Sequence, residues 1–291
     1  INDCCHVIGR LRMGRITDLV DVVHILNKVH PNEELVIFKT DFKSAYRSVP
    51  LRPEHYLYAD VVYYDTTLKK LVVSKQLAMP FGAVAAVYGW DRVADALTHV
   101  MTAILLIPVS RYVDDLFGAC FALHAEELRD MIVELMTMCG FTLDPEKTPM
   151  PALSQTILGI ECRLRRTTRT TWARQHLALV ARLDEAKTKV WIDMIKSILQ
   201  VEKLEQHDAE KLAGRLNFLV FSVAGRPGAS RLSRLYTAIY RPQTVVSPGL
   251  RSDLLWWLRF LTERTSKSYA INRPRDKVVT LYTDAEGKGG I

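Results

Sequence analysis

Three carboxylates stand out by where they fall in the chain. Asp41 closes the β-rich run of residues 35–40, and Asp114-Asp115 interrupt an otherwise strand-like stretch, with residues 106–113 before them and 116–121 after. Two carboxylates within ~4 Å repel by about 1 kcal/mol in water and by several times that beside a low-dielectric wall, so apolar flanks suit them poorly unless a cation intervenes. No His or Cys accompanies them. Hard oxygen donors alone suit Mg²⁺, with Mn²⁺ as its substitute, and Mg²⁺ held by few protein groups completes its shell with substrate phosphates. Nucleotidyl transfer by two such ions ~3.5–4 Å apart requires this donor set. An isolated Asp-Asp pair is also an ordinary turn former, so the metal reading depends on the company the pair keeps.

The elements that would present these acids follow from periodicity. Ile16, Leu19, Val20, Val23 and Leu26 share one face of a helix that Pro31-Asn32 ends. Residues 35–40 read as a strand leading to Asp41, and residues 57–64 and 71–76 as a hairpin about Asp65-Thr66-Thr67. A helix is predicted from beyond Gly82 to about Val100. Residues 106–113 and 116–121 then form a tight hairpin with the two acids at its tip. Residues 126–139 form an amphipathic helix, stopped by Gly140. Strand character returns up to Arg163. Beyond Arg174 the pattern reads as helical, with Leu212, Leu216 and Leu219 on one helix and Leu250, Leu254 and Leu258 on another, the latter capped by Ser247-Pro248. Residues 278–283 read as a strand reaching Asp284.

Length and composition bound the possibilities. The 291 residues, 48% hydrophobic and 24% charged, are globular in composition and exclude a disordered, collagen-like or disulfide-scaffold chain. The longest apolar run, residues 100–109, carries Thr102 and Pro108 and falls short of the ~18 residues of a bilayer-spanning helix. No membrane partner is expected. Five irregularly spaced cysteines read as ordinary thiols of a reducing intracellular compartment, cytoplasm or nucleus. The chain opens on Ile1 and reads as a fragment of something longer. Net charge is +7, unevenly spread: residues 1–160 hold 15 Lys and Arg against 19 Asp and Glu, whereas residues 161–291 hold 24 against 13. The second part is the polyanion-facing one.

Motif context decides between turn and metal site. Tyr112-Val113-Asp114-Asp115 resembles the YxDD box of reverse transcriptases, and residues 38–46, with Asp41 followed five positions later by Tyr46, resemble their first palm motif. Residues 77–82, with Met79-Pro80-Phe81-Gly82, are similar to an element of gypsy-like and DIRS-like retroelements. Residues 140–147 resemble the fourth box, ending in Lys147, and residues 157–162 the fifth, with Gly159 in a primer-gripping hairpin. These boxes occur in family order across residues 38–162.

The resemblance implies an α+β right-hand polymerase palm followed by a helical thumb and connection. In that reading residues 1–34 are a remnant of fingers, 35–160 the palm with a fingers insertion at about 51–78, 161–275 primer grip, thumb and connection, and 276–291 the first strand of a truncated ribonuclease H domain. Asp41, Asp114 and Asp115 would hold two Mg²⁺ ions. Phe42, Tyr46, Phe81, Gly82 and Lys147 would surround the deoxynucleoside triphosphate, the Tyr46 ring filling the space a ribose 2′-hydroxyl needs. Gly159, Arg163, Arg165, Arg166, Arg231 and Arg234 would meet an RNA/DNA primer-template through phosphates, with Arg169, Arg174, Arg226 and Arg241 nearby. Asp284 would be the first ribonuclease H carboxylate, without its partners. The expected activity is RNA- and DNA-directed DNA polymerisation for a retroelement polyprotein. The alternative is a catalytically silent nucleic-acid-binding remnant. An RNA polymerase of right-hand fold is disfavoured by Tyr46, where those enzymes place an acid. The sequence departs from many relatives at Ala85-Ala86, where a polar or Asn-Ala-Pro stretch is usual, and oligomeric state is not legible.

Overall fold

The computed structural model describes residues 11, 13–168, 175–263 and 266–271. Helix α1 (Ile16–Val29) buries Ile16, Leu19 and Val23 and leads to strand β1 (Leu35–Asp41). Two short 3₁₀ turns follow, Ala45–Ser48 and Pro53–Tyr58, then the hairpin β2 (Asp60–Asp65) and β3 (Lys70–Lys75). Helix α2 (Val84–His99) runs on through a π turn at Val100–Ile104 to the hairpin β4 (Val109–Tyr112) and β5 (Asp115–Phe121), and α3 (Ala125–Met138) comes next.

Strands β1, β5 and β4 form one antiparallel sheet in that order, with Leu35 opposite Phe121 at one end and Asp41 opposite Asp115 at the other. Alternation along β1 explains why its first four residues, Leu35 to Phe38, are all apolar. Leu35 and Ile37 enter the core under α1, while Val36 and Phe38 enter a second core with α2 and α3. A sheet buried on both faces carries no polar stripe, so its chain end is the first place where an acid meets water. The second core is aromatic where it approaches that end: the Phe42 and Trp90 rings lie 4.9 Å apart and edge to face. Such a pair contributes about 0.5–1.5 kcal/mol beyond its area, which helps fix α2 against the sheet.

The second sheet is β6 (Ser154–Ile157), β7 (Ile160–Thr168), β8 (Gln175–Leu183) and β11 (Ser266–Ala270), ordered β11-β8-β7-β6. The helices are α4 (Glu185–Val201), α5 (Gln206–Leu219) with a π turn at Val220–Ala224, α6 (Gly225–Ser230), α7 (Ser233–Ile239) and α8 (Pro248–Glu263), of which α4, α5, α7 and α8 share one core with the sheet. A minor pair, β9 (Lys203–Glu205) and β10 (Gln243–Val245), ties α4 to α8. The core under α1 continues through this sheet to Leu212, Leu216, Leu254 and Trp257. Ser247 caps α8 as expected, its Oγ accepting from Leu250 N at 3.3 Å. Among the described residues no helix is long and apolar enough to cross a membrane.

Three expectations are corrected. The first arm of the β2/β3 hairpin starts at Asp60 rather than Leu57, because Pro53 leads a 3₁₀ turn that takes up the preceding residues. The strand before the acids begins at Val109, since Pro108 has no N–H to donate and Leu106 adopts φ 55. Residues 175–183 are a strand, not a helix. Their Leu, Ala and Arg are good helix formers, yet nine-residue pairing with β7 places Leu179, Ala181 and Leu183 in the core. Asp284 with its strand, Arg169 and Arg174 lie outside the described residues.

Candidate active site

The three acids meet at one end of the β1-β5-β4 sheet. Asp41, the last residue of β1, is buried, and its register partner is Asp115, the first residue of β5. Tyr112 pairs with Asp115, which leaves Val113-Asp114 as a two-residue hairpin turn. Turns of this length favour residues that tolerate positive φ. Val113 sits there at φ 54. A β-branched residue in this region costs about 1–3 kcal/mol and persists only when its surroundings hold it.

Those surroundings are specific. The Val113 carbonyl accepts from Trp90 Nε1 at 2.9 Å and from Arg111 Nη1 at 3.2 Å. Trp90 is fully buried and Arg111 nearly so. Arg111 is held in turn by Asp91 Oδ1 at 2.7 Å and Asp95 Oδ1 at 2.6 Å, one helical turn apart on α2. A neutral hydrogen bond contributes about 0.5–1.5 kcal/mol and one from a charged group about 1.5–3, so the two donors together offset the strain.

Charge at the sheet end is unbalanced. Burial, then the charges of Asp114 and Asp41, push the Asp115 carboxyl up to about 6, against the pull of Lys39 and Lys147. Burial also raises Asp114, partly countered by its own backbone hydrogen bond. One cation already stands among the acids: Lys147 Nζ donates to Asp41 Oδ2 at 2.5 Å. The ion pair raises the Lys147 ammonium above its usual pKa. Residues 141–147 are laid along β1 to put it there, through Asp144 N on the Asp41 carbonyl at 2.9 Å and the pairing of Phe42 with Leu143. The Lys147 side chain is 63% exposed, so it can leave Asp41 without disturbing the core. Among the described residues no three acid, imidazole or thiol groups form a ready coordination cluster. The donors are nonetheless all hard carboxylates that draw a cation, which suits Mg²⁺ or Mn²⁺ once the ammonium withdraws.

The surrounding positions fall into place unevenly. Tyr46 lies near enough for Asp114 to raise its pKa, after burial, and its ring meets Phe81 at 5.2 Å and Trp90 at 6.3 Å. Phe81 is exposed, with the Arg47 guanidinium 5.9 Å from its centroid, and Gly82 turns at φ 83. Phe42 is a correction: the residue is 4% exposed and its ring is packed against Trp90 and Phe141, so it supports the site from the core and has no free face for a nucleotide.

Leu158-Gly159 make the turn between β6 and β7, both at positive φ, and a Cβ on Gly159 would stand 2.6 Å from Lys187 Nζ of α4. On β7, Arg163 and Arg165 are exposed and alternate with the buried Cys162 and Leu164, so they share the outer face. Arg166 has the opposite parity and reaches the Glu33 carbonyl at 3.4 Å. Arg231 and Arg234 both bind the buried Asp253, at 3.1 and 2.8 Å, leaving one net positive charge between them. Arg241 is exposed, and the Arg226 side chain is outside the described set.

Sequence reasoning missed Trp90, Arg111 and the face of α5. The signal for Arg111 was a lone charge in an apolar strand with two acids four residues apart on the preceding helix. Helix α5 borders two joined clefts of about 430 and 300 Å³, which share Leu158, Gly214 and Phe218 and extend from Tyr112 to Trp191. A Cβ on Gly214 would meet nothing within 4 Å, so this helix face is open.

No family model and no curated protein matches the sequence. Solved structures match in fold. A foamy viral protease-reverse transcriptase in complex with RNA/DNA hybrid aligns with TM-score 0.57 at 13% identity, over 90% of this chain and 31% of that one. A foamy viral protease-reverse transcriptase in complex with dsDNA gives 0.55 at 15%, over 90% and 47%, and a foamy viral protease-reverse transcriptase dRH in complex with ds DNA gives 0.56 at 14%, over 89% and 39%. The chain therefore has a reverse-transcriptase-like fold of helices and antiparallel sheets, and it spans less than half the length of these three structures.

Proposed function

We propose that the chain is the polymerase part of a retroelement reverse transcriptase of gypsy-like or DIRS-like kind, extending a DNA primer on RNA and DNA templates. The observation that carries this reading is the meeting of Asp41, Asp114 and Asp115 at one sheet end, on a strained turn, with Lys147 beside them. Residues 35–160 act as palm, with 51–78 a fingers insertion and 1–34 a fingers remnant. Residues 161–275 act as primer grip, thumb and connection, and 276–291 begin a ribonuclease H domain.

Asp41, Asp114 and Asp115 would hold two Mg²⁺ ions, which supply activation of the primer 3′-oxygen and charge stabilisation at the phosphate. The chain's own residues do the rest. The Tyr46 and Phe81 rings floor the nucleotide pocket and give sugar and base a flat apolar surface. Lys147, freed from Asp41, is a mobile ammonium that can follow the departing pyrophosphate. The clefts beside α5 and the outer face of β7, with Arg163 and Arg165, take the duplex by shape and phosphate charge, without reading sequence.

Primer extension with Mg²⁺ on RNA and DNA templates tests the reading. Activity is expected in the parent and in Asp114→Asn a loss of about a hundredfold or more, with primer-template affinity nearly intact, because an amide is a poor hard-metal ligand and affinity resides in the basic part. Extension by Asp114→Asn at the parent rate would sink it. A second reading, a silent nucleic-acid-binding module, is favoured by one observation: Lys147 already occupies Asp41. Tight duplex binding with no extension by the parent would select it.

A further inference from the structure

We propose that Trp90 and Arg111 are positioning residues: their two donors on the Val113 carbonyl hold the left-handed turn that aims the Asp114 carboxylate, and Asp91 and Asp95 clamp Arg111 for that task. The inference rests on the polymerase reading of the carboxylate site and adds residues that none of its motifs contains.

Each link is a contact already described. Val113 is β-branched, at φ 54, and its carbonyl takes one indole N–H and one guanidinium N–H. Both donors come from residues under 5% exposed, so neither has water as an alternative partner. They also come from different elements, α2 and β4. The turn is thus registered against the helix behind it as well as against its own strand. Arg111 Nη2 spans Asp91 and Asp95, and the Arg111 backbone carbonyl accepts from Gly14 N at 2.5 Å, which fixes the residue from a third side. A guanidinium held at this many points cannot follow the turn if the turn relaxes. Losing a donor lets Val113 return toward ordinary negative φ, which rotates the peptide that carries Asp114.

The aspartates have a consequence of their own. Asp91 is mostly buried, whereas the Asp95 side chain is 52% exposed. Asp95 can be altered without emptying the core, and it acts on the turn only through Arg111.

The test compares Trp90→Phe, which keeps a buried ring but has no N–H, and Asp95→Asn with the parent chain. Two readouts are taken: steady-state primer extension, and Mn²⁺ affinity by electron paramagnetic resonance with no nucleotide present. Trp90→Phe is expected to lower kcat by about tenfold or more, because a small misplacement of a reacting group carries a penalty of that order. Affinity for primer-template should stay within about twofold, since the duplex is bound through neither Val113 nor the Trp90 ring. Mn²⁺ affinity should fall in the same variant, and Asp95→Asn should move both readouts the same way by less. Glycine adopts positive φ without strain, so in a Val113→Gly background the fold-loss caused by Trp90→Phe should shrink. Unchanged kcat and Mn²⁺ affinity in Trp90→Phe, or an equal fold-loss in both backgrounds, would overturn the assignment. If Trp90→Phe does not fold, Asp95→Asn decides by the same two readouts. A parent that binds Mn²⁺ but does not extend primers removes the polymerase reading, and the Mn²⁺ arm still decides the positioning role. A parent that binds no Mn²⁺ removes both.

Discussion

Replacing Asp115 by Asn should make the protein more stable at neutral pH while weakening its response to divalent metal. The Asp115 carboxyl is pushed from the usual 3.8 up to about 6 by burial and by Asp114 and Asp41. A raised folded-state pKa means that the native state binds more protons than the unfolded state between these values. Stability is therefore full below pH 4 as far as this group is concerned, falls as pH rises through about 6, and levels off above. An interaction of this size on a fully enclosed group would amount to about 3 kcal/mol, and partial exposure of Asp115 reduces it to about 1–2 kcal/mol. Urea melts of parent and Asp115→Asn between pH 4 and 7 isolate the effect, because other titrations are common to both. The parent's deficit should grow across that window and be absent at its acid end. Mg²⁺ at about ten times its dissociation constant should return about 1.4 kcal/mol to the parent at pH 7 and less to the variant. Parallel stability curves for the two proteins, or equal stabilisation by Mg²⁺, would refute the picture of an uncompensated carboxylate cluster that draws a cation.

Tyr46→Val should raise ribonucleotide incorporation relative to deoxyribonucleotide, seen as a change in the kcat/KM ratio between sugars; equal loss for both would make Tyr46 structural. Arg163→Ala with Arg165→Ala, which share the outer face of β7, should reduce the slope of log K against log salt by about 0.9 per lost contact on B-DNA, and an unchanged slope would return them to solvent. Gly118→Ala should destabilise by about 1–3 kcal/mol in thermal or urea melts, since the new Cβ would stand 2.6 Å from Phe38 Cζ and overlap the Pro108 carbonyl. Near-parental stability there would mean that the second core gives way more easily than its packing implies.

Much of the site was legible in the residues because its chemistry is local. A carboxylate at the end of an apolar strand, two more between apolar runs, a lysine after Gly140 and a glycine between Leu158 and Ile160 are patterns of spacing. The β period of two and the helix period of 3.6 place them on elements without knowledge of the rest of the chain. Helices α1, α3, α5 and α8 were read for the same reason: each buries one stripe against a core.

What periodicity could not supply was pairing across distance. That Asp41 lies opposite Asp115 is a fact of strand register, set by which residues of β1 and β5 fill the two cores. Strand β8 was hidden because Leu, Ala and Arg prefer helix in isolation, and only β7 and β11 on either side of it reverse that preference. Phe42 read as a nucleotide contact beside Asp41, but a ring in reach of Trp90 and Phe141 is buried in preference to facing water. Arg231 and Arg234 read as free cations until Asp253, on another helix, was brought between them. The left-handed Val113 could not be foreseen at all. Its conformation is held by Trp90 and Arg111, and a strained backbone exists only where the tertiary structure supplies hydrogen bonds strong enough to hold it.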